Sequence, residues 1–595
     1  MKLLKLEIGS LPKEKQFRSL HPGFKVEFHK LYTDEKLNTF DEKGIKAMEV
    51  FSPYCFAGLN GSGKSNVLEA IAAIFYHLEC CVSKFKPKTF EKYFRPNECN
   101  PDAFTLEYLI GQHNNKPYSL AYFDKISIRK EEGKAPKMFK QSYPFSKKEK
   151  QIEVSLVPRT DLREPKPAEG KDFLPDIVVG YSSGENEILS LPFRKSRLIN
   201  FDKYREDYIK GYRFEEPENS LIYIDSEMSQ AVLLACLLYE DTETLKPLKE
   251  ELGIVGLRSF RMNLNVQSLV IDYNVESKTR VPILQHIPEI IEDLKKCASS
   301  WQEFKHESEH FEDLQTSVLT FDFFVDEQTK TVFREYFSTS FELFRFFQVL
   351  YELNSNVISE SIKEEVYKSK GFYTDGKLPE GSPDENVFYF LDYLILKKIE
   401  GEEDPKPLLL REFSDGEHQF LHTMGICLML KERRSILLFD EPETHFNPSW
   451  RAKFIKILDD SIKAGNNKDY VNGRFNVHLL KDILLTSHSP FIISDCMPDN
   501  VLFFKRDEET KLLEVKKASE LGIKTYGSSV DYILKNFFKT NLISNKSFKD
   551  LKDIIDHGTI DELRKAVEDF GESSEKQFLF RRIYEKMEKE KKDDN

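Results

Sequence analysis

The sequence predicts an α/β fold built on a phosphate-binding loop and interrupted by a long, mostly helical insertion. Three observations carry that expectation. "GLNGSGKS" (Gly58 to Ser65) closes an apolar run and opens a segment with helical spacing. Two later apolar runs, "SILLFD" and "DILLTS", end in polar residues at 440 and 486–488 and alternate with helical segments, as parallel strands do. Between the two halves, residues 191–400 are dominated by long amphipathic stretches.

The elements follow in order. "KLLKLEIG" alternates, and Phe24, Val26 and Phe28 repeat the alternation, so both read as half-buried strands. "VFSPYCFAGL" is the strand before the glycine loop, and "NVLEAIAAIFYHLECCV" is the helix after it. "AFTLEYLI", "YSLAYFDKISI" and "QIEVSLV" read as further strands, followed by an exposed Pro-rich connection, "RTDLREPKPAEGKDFLPD". In the insertion, "VPILQHIPEIIEDLKKCASSWQEFKHESEHFEDLQ" and "YFSTSFELFRFFQVLYELNSNVISESIKEEVYKS" have helical period, and "SVLTFDFFVD" is strand-like. "PKPLLLREF" returns the chain to strand, and the tail from Lys505 reads as charged helix with a frayed end. The expected organisation is an N-terminal lobe over 1–190, the insertion over 191–400, a C-terminal lobe over 401–540 and a helical tail over 541–595.

Composition bounds the function. Of the 595 residues, 40% are hydrophobic and 31% charged, and the 48 Phe argue against extensive disorder. No apolar run of about 18 residues suggests a membrane span, and the N-terminus is too charged for a secretory signal. The eight cysteines lack the paired spacing of a zinc site or disulfide framework. A cytoplasmic protein with no membrane partner is the expectation. The net charge of −13 excludes a general nucleic-acid coat, so DNA would need a local patch. Two stretches, Lys125 to Lys150 and Phe193 to Arg213, are basic with interleaved aromatics and read either as such a patch or as solvated faces.

The chemistry rests on four stretches. In the glycine loop, Gly58, Asn60, Gly61, Ser62 and Gly63 let successive backbone N–H groups face phosphate oxygens, and Asn66 lies just inside the following helix. Lys64 is placed to reach the β- and γ-phosphates and Ser65 to ligate Mg²⁺. Asp440, at the end of an apolar strand, is the second magnesium ligand, and Glu441 is the general base toward water. His488 ends a further strand and suits a γ-phosphate sensor. "FSDGEHQF" (Phe413 to Phe420) opens the helix before the Asp440 strand, and its Ser414, Gly416 and Glu417 make a second anion-facing helix start. One chain needs only one cradle per nucleotide, so this second start suits a nucleotide held by another copy. "VVGYSSGENEILSLPF" (Val178 to Phe193) resembles such a loop without an acidic strand behind it, and reads either as a neighbour of the nucleotide or as a plain turn.

The order of phosphate loop, insertion, "FSDGE", Asp–Glu strand and His resembles the heads of ABC-type ATPases, with Asp415 where that family's Ser-Gly-Gly loop has glycine. "DEPETHFNP" and "TSHSPF" look like the OLD-, RecF- and SMC-like soluble subgroup, although Asn447 stands where OLD-like proteins carry a second histidine. "FRSL…FKVEF" and "TYGSSVDYILKNFF" extend the likeness, which covers both ends of the chain and leaves the insertion unmatched. More narrowly, the chain resembles restriction-system-associated AAA-family ATPases of bacterial defence loci. The resemblance implies a mixed sheet flanked by helices. It also implies ATP and Mg²⁺ as cofactors and a homodimer that sandwiches ATP between the glycine loop of one copy and the Ser414 loop of the other. Hydrolysis would drive a DNA- or protein-handling partner in phage defence, restriction or genome maintenance. The alternative is an ATP-dependent sensor with little turnover that activates a separate effector nuclease. A nuclease within this chain is not expected: no D-x-D follows a late strand, and "RRIYE" (Arg581 to Glu585) has the spacing of an ordinary helix salt bridge.

Overall fold

In the computed structural model, all residues are described except 13–14, 32–46, 113–122, 143–149, 160–164, 185, 210–218, 266–269, 273–279, 283–287, 308–314, 370–377, 380, 382–384, 400, 431–432, 465–476, 540–543, 572, 574–575 and 594–595. The N-terminal part runs β1 (Lys2–Ile8), β2 (Lys25–Glu27), β3 (Tyr54–Gly58), helix α1 (Lys64–Val82), β4 (Phe104–Gly111), β5 (Phe123–Lys130), β6 (Lys137–Ser142), β7 (Ile152–Val154) and β8 (Ile177–Ser182). There follow α2 (Glu187–Ile209), β9 (Leu221–Tyr223), α3 (Ser226–Tyr239), β10 (Ile254–Asn265), a short pair β11 (Val270–Asp272) and β12 (Arg280–Pro282), β13 (Ser300–Glu307), β14 (Gln315–Phe324), α4 (Ser340–Leu353), α5 (Glu360–Lys368) and β15 (Phe388–Lys397). The C-terminal part runs β16 (Lys406–Leu409), α6 (Asp415–Met429), β17 (Ser435–Asp440), α7 (Pro448–Ala464), β18 (Lys481–Thr486), β19 (Val501–Arg506) and β20 (Leu513–Lys517), then three helices from Asn545 to Asp593.

The central sheet has the order β20-β19-β3-β18-β17-β8-β9, parallel throughout except for β20. Its strands are apolar on both sides because both faces are covered. Along β17, Ile436 and Leu438 enter one core with α1 and the β1–β4–β5 sheet, while Leu437 and Phe439 enter another with α3, α6 and α7. The first of these layers is the antiparallel sheet β2-β1-β4-β5-β6-β7. The chain therefore has an α/β architecture in which a mixed central sheet carries α1 and the antiparallel sheet on one face and helices on the other.

The insertion shares this core: Phe260, Phe321, Phe344, Phe347 and Phe388 pack in one cluster with Leu437 and Phe439. Helices form most of its regular structure, yet it also contributes four strands to a five-stranded antiparallel sheet, β13-β14-β10-β15-β16, whose edge strand β16 comes from the C-terminal part. "SWQEFKHE" is strand β13, where helical period was expected. Trp301 and Phe304, three apart, share a face only in a helix, and pairing with β14 overrides that spacing. The tail likewise begins as a strand hairpin, β19–β20, before turning helical.

The basic stretch from Phe193 is neither a solvated face nor an exposed patch over its described part. Within α2, Lys195, Asn200, Asp202, Lys203 and Tyr204 are all buried, and Asp202 accepts from Lys363 and Tyr367. Residues 210–213 of that stretch, and 143–149 of the other, lie outside the described residues. One described helix, Lys64–Val82, is long and apolar enough to cross a membrane, and 78% of its apolar window is buried inside the protein.

Candidate functional site

Parallel register assembles the site. β17 lies between β18 and β8 with Asp440 opposite Thr486 and Ser182, and β18 pairs with β3, so residues far apart in sequence meet at one sheet end. Open α/β sheets place ligands at this carboxyl edge.

The glycine loop is shaped by two close approaches. Gly58 is at φ 151°, where a Cβ would collide with the Phe504 carbonyl, and Gly63 at φ 89° faces the Ser19 hydroxyl just as closely. Gly63 also caps α1 without a side-chain bond, which leaves the first N–H groups of that helix for an anion. Inside the loop the Ser62 hydroxyl is buried with no hydrogen-bond partner among the described residues, and from there it can donate to a phosphate oxygen. Asn60 and Gly61 are exposed at the loop's tip, and the Asn66 amide lies 2.6 Å from the Ser19 hydroxyl.

Lys64 donates to the carbonyls of Gly58 (3.1 Å) and Leu59 (3.2 Å), and its Nζ lies 2.9 Å from His488 Nε2. Burial lowers its pKa, partly offset by Glu441 and Asp440. Ser65 Oγ donates to Asp440 Oδ1 at 2.7 Å, as does Thr486 Oγ1, whose oxygen also accepts from the Glu441 N–H. This hard-oxygen set of hydroxyl and carboxylate suits Mg²⁺, so the residues present fit the ion. Glu441 sits at φ 50° in the left-handed region, which turns its carboxylate off the strand axis toward His488 Nε2 at 3.3 Å. The hydrogen bond from His488 holds the Glu441 carboxyl below its usual range. A carboxylate kept charged at neutral pH can take a proton from water.

Lys64, Ser65, Asp440, Glu441 and His488 thus form one constellation. Among the described residues, no hydrogen bond or ion pair joins Ser414, Gly416 or Glu417 to it. Those three sit at the start of α6, where Ser414 and Glu417 form a reciprocal capping box and Lys397 pairs with Glu417. A Cβ at Gly416 would lie 2.8 Å from the His445 carbonyl, so glycine lets α6 abut the loop that follows β17.

One contributor was not singled out in the sequence: Asn186, whose amide donates to Asp440 Oδ2 at 2.7 Å. It falls within "VVGYSSGENEILSLPF", at the end of β8 beside β17, so that stretch adjoins the nucleotide site. Asn186 also bonds Glu69, one turn beyond Ser65 on α1, and Glu69 faces Arg18 at 3.8 Å. A polar residue just beyond a buried strand was the available signal; strand adjacency was not.

Residues 298–494, about a third of the chain, match a family model described as an AAA domain, putative AbiEii toxin, type IV toxin–antitoxin system. The match takes in Ser414, Asp440, Glu441 and His488 and begins well after the glycine loop. No curated protein matches the chain. Among solved structures, the SMC head bound to the C-terminal winged-helix domain of ScpA covers 88% of this chain and all of its own, at 9% identity and a TM-score of 0.31. So loose a likeness bears on neither fold nor function.

Proposed function

We propose that the protein binds and hydrolyses ATP, and that two copies close around two nucleotides, each offering its Ser414 loop to the ATP held by the other's glycine loop. The convergence of Lys64, Ser65, Asp440, Glu441 and His488 at one sheet edge carries this reading. Lys64 and the N-terminus of α1 bind the phosphates, and His488 donates to the γ-phosphate from beside Lys64. Magnesium, held by Ser65 and Asp440, would neutralise charge on the β- and γ-phosphates. Glu441 orients water and accepts its proton. The self-capped start of α6, which among the described residues makes no hydrogen bond or ion pair to its own chain's constellation, supports the partner's γ-phosphate as its target.

The buried polar contacts along α2, whose preceding residue Asn186 touches Asp440, support transmission of the nucleotide state into the insertion and on to a DNA or protein partner. The matched family's description names a putative toxin of a type IV toxin–antitoxin system, in keeping with a role in bacterial defence; the separate effector nuclease is proposed from the sequence resemblance alone. The sensor reading, with little turnover, is favoured by one observation: the Ser414 loop is already held by its own capping box and by Lys397, so its closure on a nucleotide need not be coupled to hydrolysis. Steady-state phosphate release and sedimentation with ATP, with and without duplex DNA, test both. Turnover with nucleotide-dependent dimerisation supports the first reading. Dimerisation without turnover supports the second, and a monomer under saturating Mg²⁺ and a non-cleavable analogue overturns the sandwich.

A further inference from the structure

We infer that Glu443, which belongs to neither the phosphate cradle nor the magnesium site, is a positioning residue that fixes His488 by clamping the loop after β17 to the loop after β18. The inference rests on the ATPase reading above. Glu443 lies three residues beyond Asp440 and is 4% exposed. Its Oε1 accepts a hydrogen bond from the Ser487 hydroxyl, next to His488. That hydroxyl in turn accepts from the Ser489 N–H at 2.9 Å, and the Ser487 N–H donates to the Phe56 carbonyl on β3 at 3.1 Å. Residues on both sides of the His488 backbone are therefore held, and Glu443 supplies the one side-chain acceptor that holds the Ser487 hydroxyl in orientation.

The same short loop grips α6 at its other end. The His445 N–H donates to Gln419 Oε1 at 2.9 Å, and the His445 carbonyl rests against Gly416. Glu443 thus stands between the sensor histidine and the helix whose start carries Ser414. Its Oε2 is buried with no hydrogen-bond partner among the described residues, an arrangement that costs stability. Burial pushes the carboxyl up to about 7, a shift toward the neutral acid because a bare carboxylate there would be costlier still. An apolar residue would fill the space without that cost; what it could not do is accept from Ser487.

Glu443→Leu keeps the bulk and removes the acceptor, Glu443→Gln keeps the acceptor without charge, and Ser487→Ala removes the donor. Phosphate-release kinetics and binding of a fluorescent non-cleavable ATP analogue are measured on all three and on the wild type. Glu443→Leu and Ser487→Ala are each expected to lower kcat by about 10- to 100-fold through misplacement of His488. KM and analogue affinity should stay within about twofold, since the misplaced His488 contact is one that strengthens in the transition state and not in the ground state, and Glu443→Gln should recover most of the rate. If Glu443→Leu does not fold, Ser487→Ala carries the same expectation. Wild-type kcat in the folded variants, or analogue affinity falling in step with kcat, overturns the positioning role. Absence of wild-type turnover overturns the ATPase reading and this inference with it.

Discussion

The starts of α1 and α6 are two anion-facing helix ends with opposite internal chemistry. At α1 the cap is Gly63, left-handed and without a side chain to satisfy the N–H groups behind it. At α6 the cap is Ser414, whose hydroxyl accepts from the Glu417 N–H while the Glu417 carboxylate accepts from the Ser414 N–H, and Lys397 neutralises that carboxylate. The first end is completed by something outside the chain; the second already holds its own counter-charge. A helix dipole is common to both, so the dipole alone does not make a phosphate site. The state of the cap decides whether an anion gains by binding. In the proposed sandwich, α6 would meet its partner's nucleotide through the N–H groups its capping box leaves over, which would make it the weaker and switchable side.

Four measurements would break or sharpen that contrast. Removal of the α1 ammonium should have the largest effect: Lys64→Ala is expected to cut turnover by at least about 10³-fold and to abolish analogue binding. Binding retained in that variant would mean the open cap is not the main anchor. Next, Glu441→Gln should reduce phosphate release by about 10²- to 10⁴-fold while ATP binding persists and the dimer accumulates in sedimentation.

Third, Ser414→Ala should leave analogue binding intact, because no bond joins Ser414 to its own chain's constellation. Loss of the cap costs about 1 kcal/mol, a small fall in melting temperature. Mixing Ser414→Ala protein with Lys64→Ala protein should yield dimers with one composite site intact, and phosphate release above that of either variant alone. Equal, absent turnover in the mixture would argue that the two helix starts do not act in trans.

The smallest effect concerns pH. Glu443 titrates near 7 in the folded protein against an ordinary carboxyl near 4.5, so the folded state holds a proton that the unfolded chain has released. Its contribution is complete below about pH 4.5 and is lost as pH rises through 7, about 2 kcal/mol between roughly pH 5.5 and 8.5. Glu443→Gln should remove that share of the alkaline fall in melting temperature. Glu69, buried beside Arg18 and also raised to about 7, retains a similar share of the slope. An unchanged slope in the variant would place the Glu443 proton elsewhere.

The phosphate loop, the Asp440 strand and the His488 strand were legible in the sequence because each is a local signal: a glycine pattern, or an apolar run ending in a polar residue. The chemical roles proposed for them rest on residue type. The buried character of α2 was not legible. Its lysines and aspartates look solvated in a one-dimensional charge count, yet partners more than 150 residues away satisfy them: Lys363 and Tyr367 donate to Asp202, and Lys195 donates to the Ser369 carbonyl. Strand β13 was misread for the complementary reason, since two aromatics three apart fit a helix until β14 pairs with them.

By itself, then, the sequence determined which peptide segments could bind phosphate, magnesium and water, since those properties reside in single loops and strand ends. The tertiary structure alone decided which segments meet. Ser182, Asp440, Thr486 and Phe56 fall into one row across β8, β17, β18 and β3 by hydrogen-bond register, and strands this uniformly apolar carry no label for their neighbours. Asn186 reaches Asp440, and Glu443 reaches Ser487, only because that row forms. Long-range strand order is fixed by the collective burial of both sheet faces, a sum over the whole chain that no single stretch encodes.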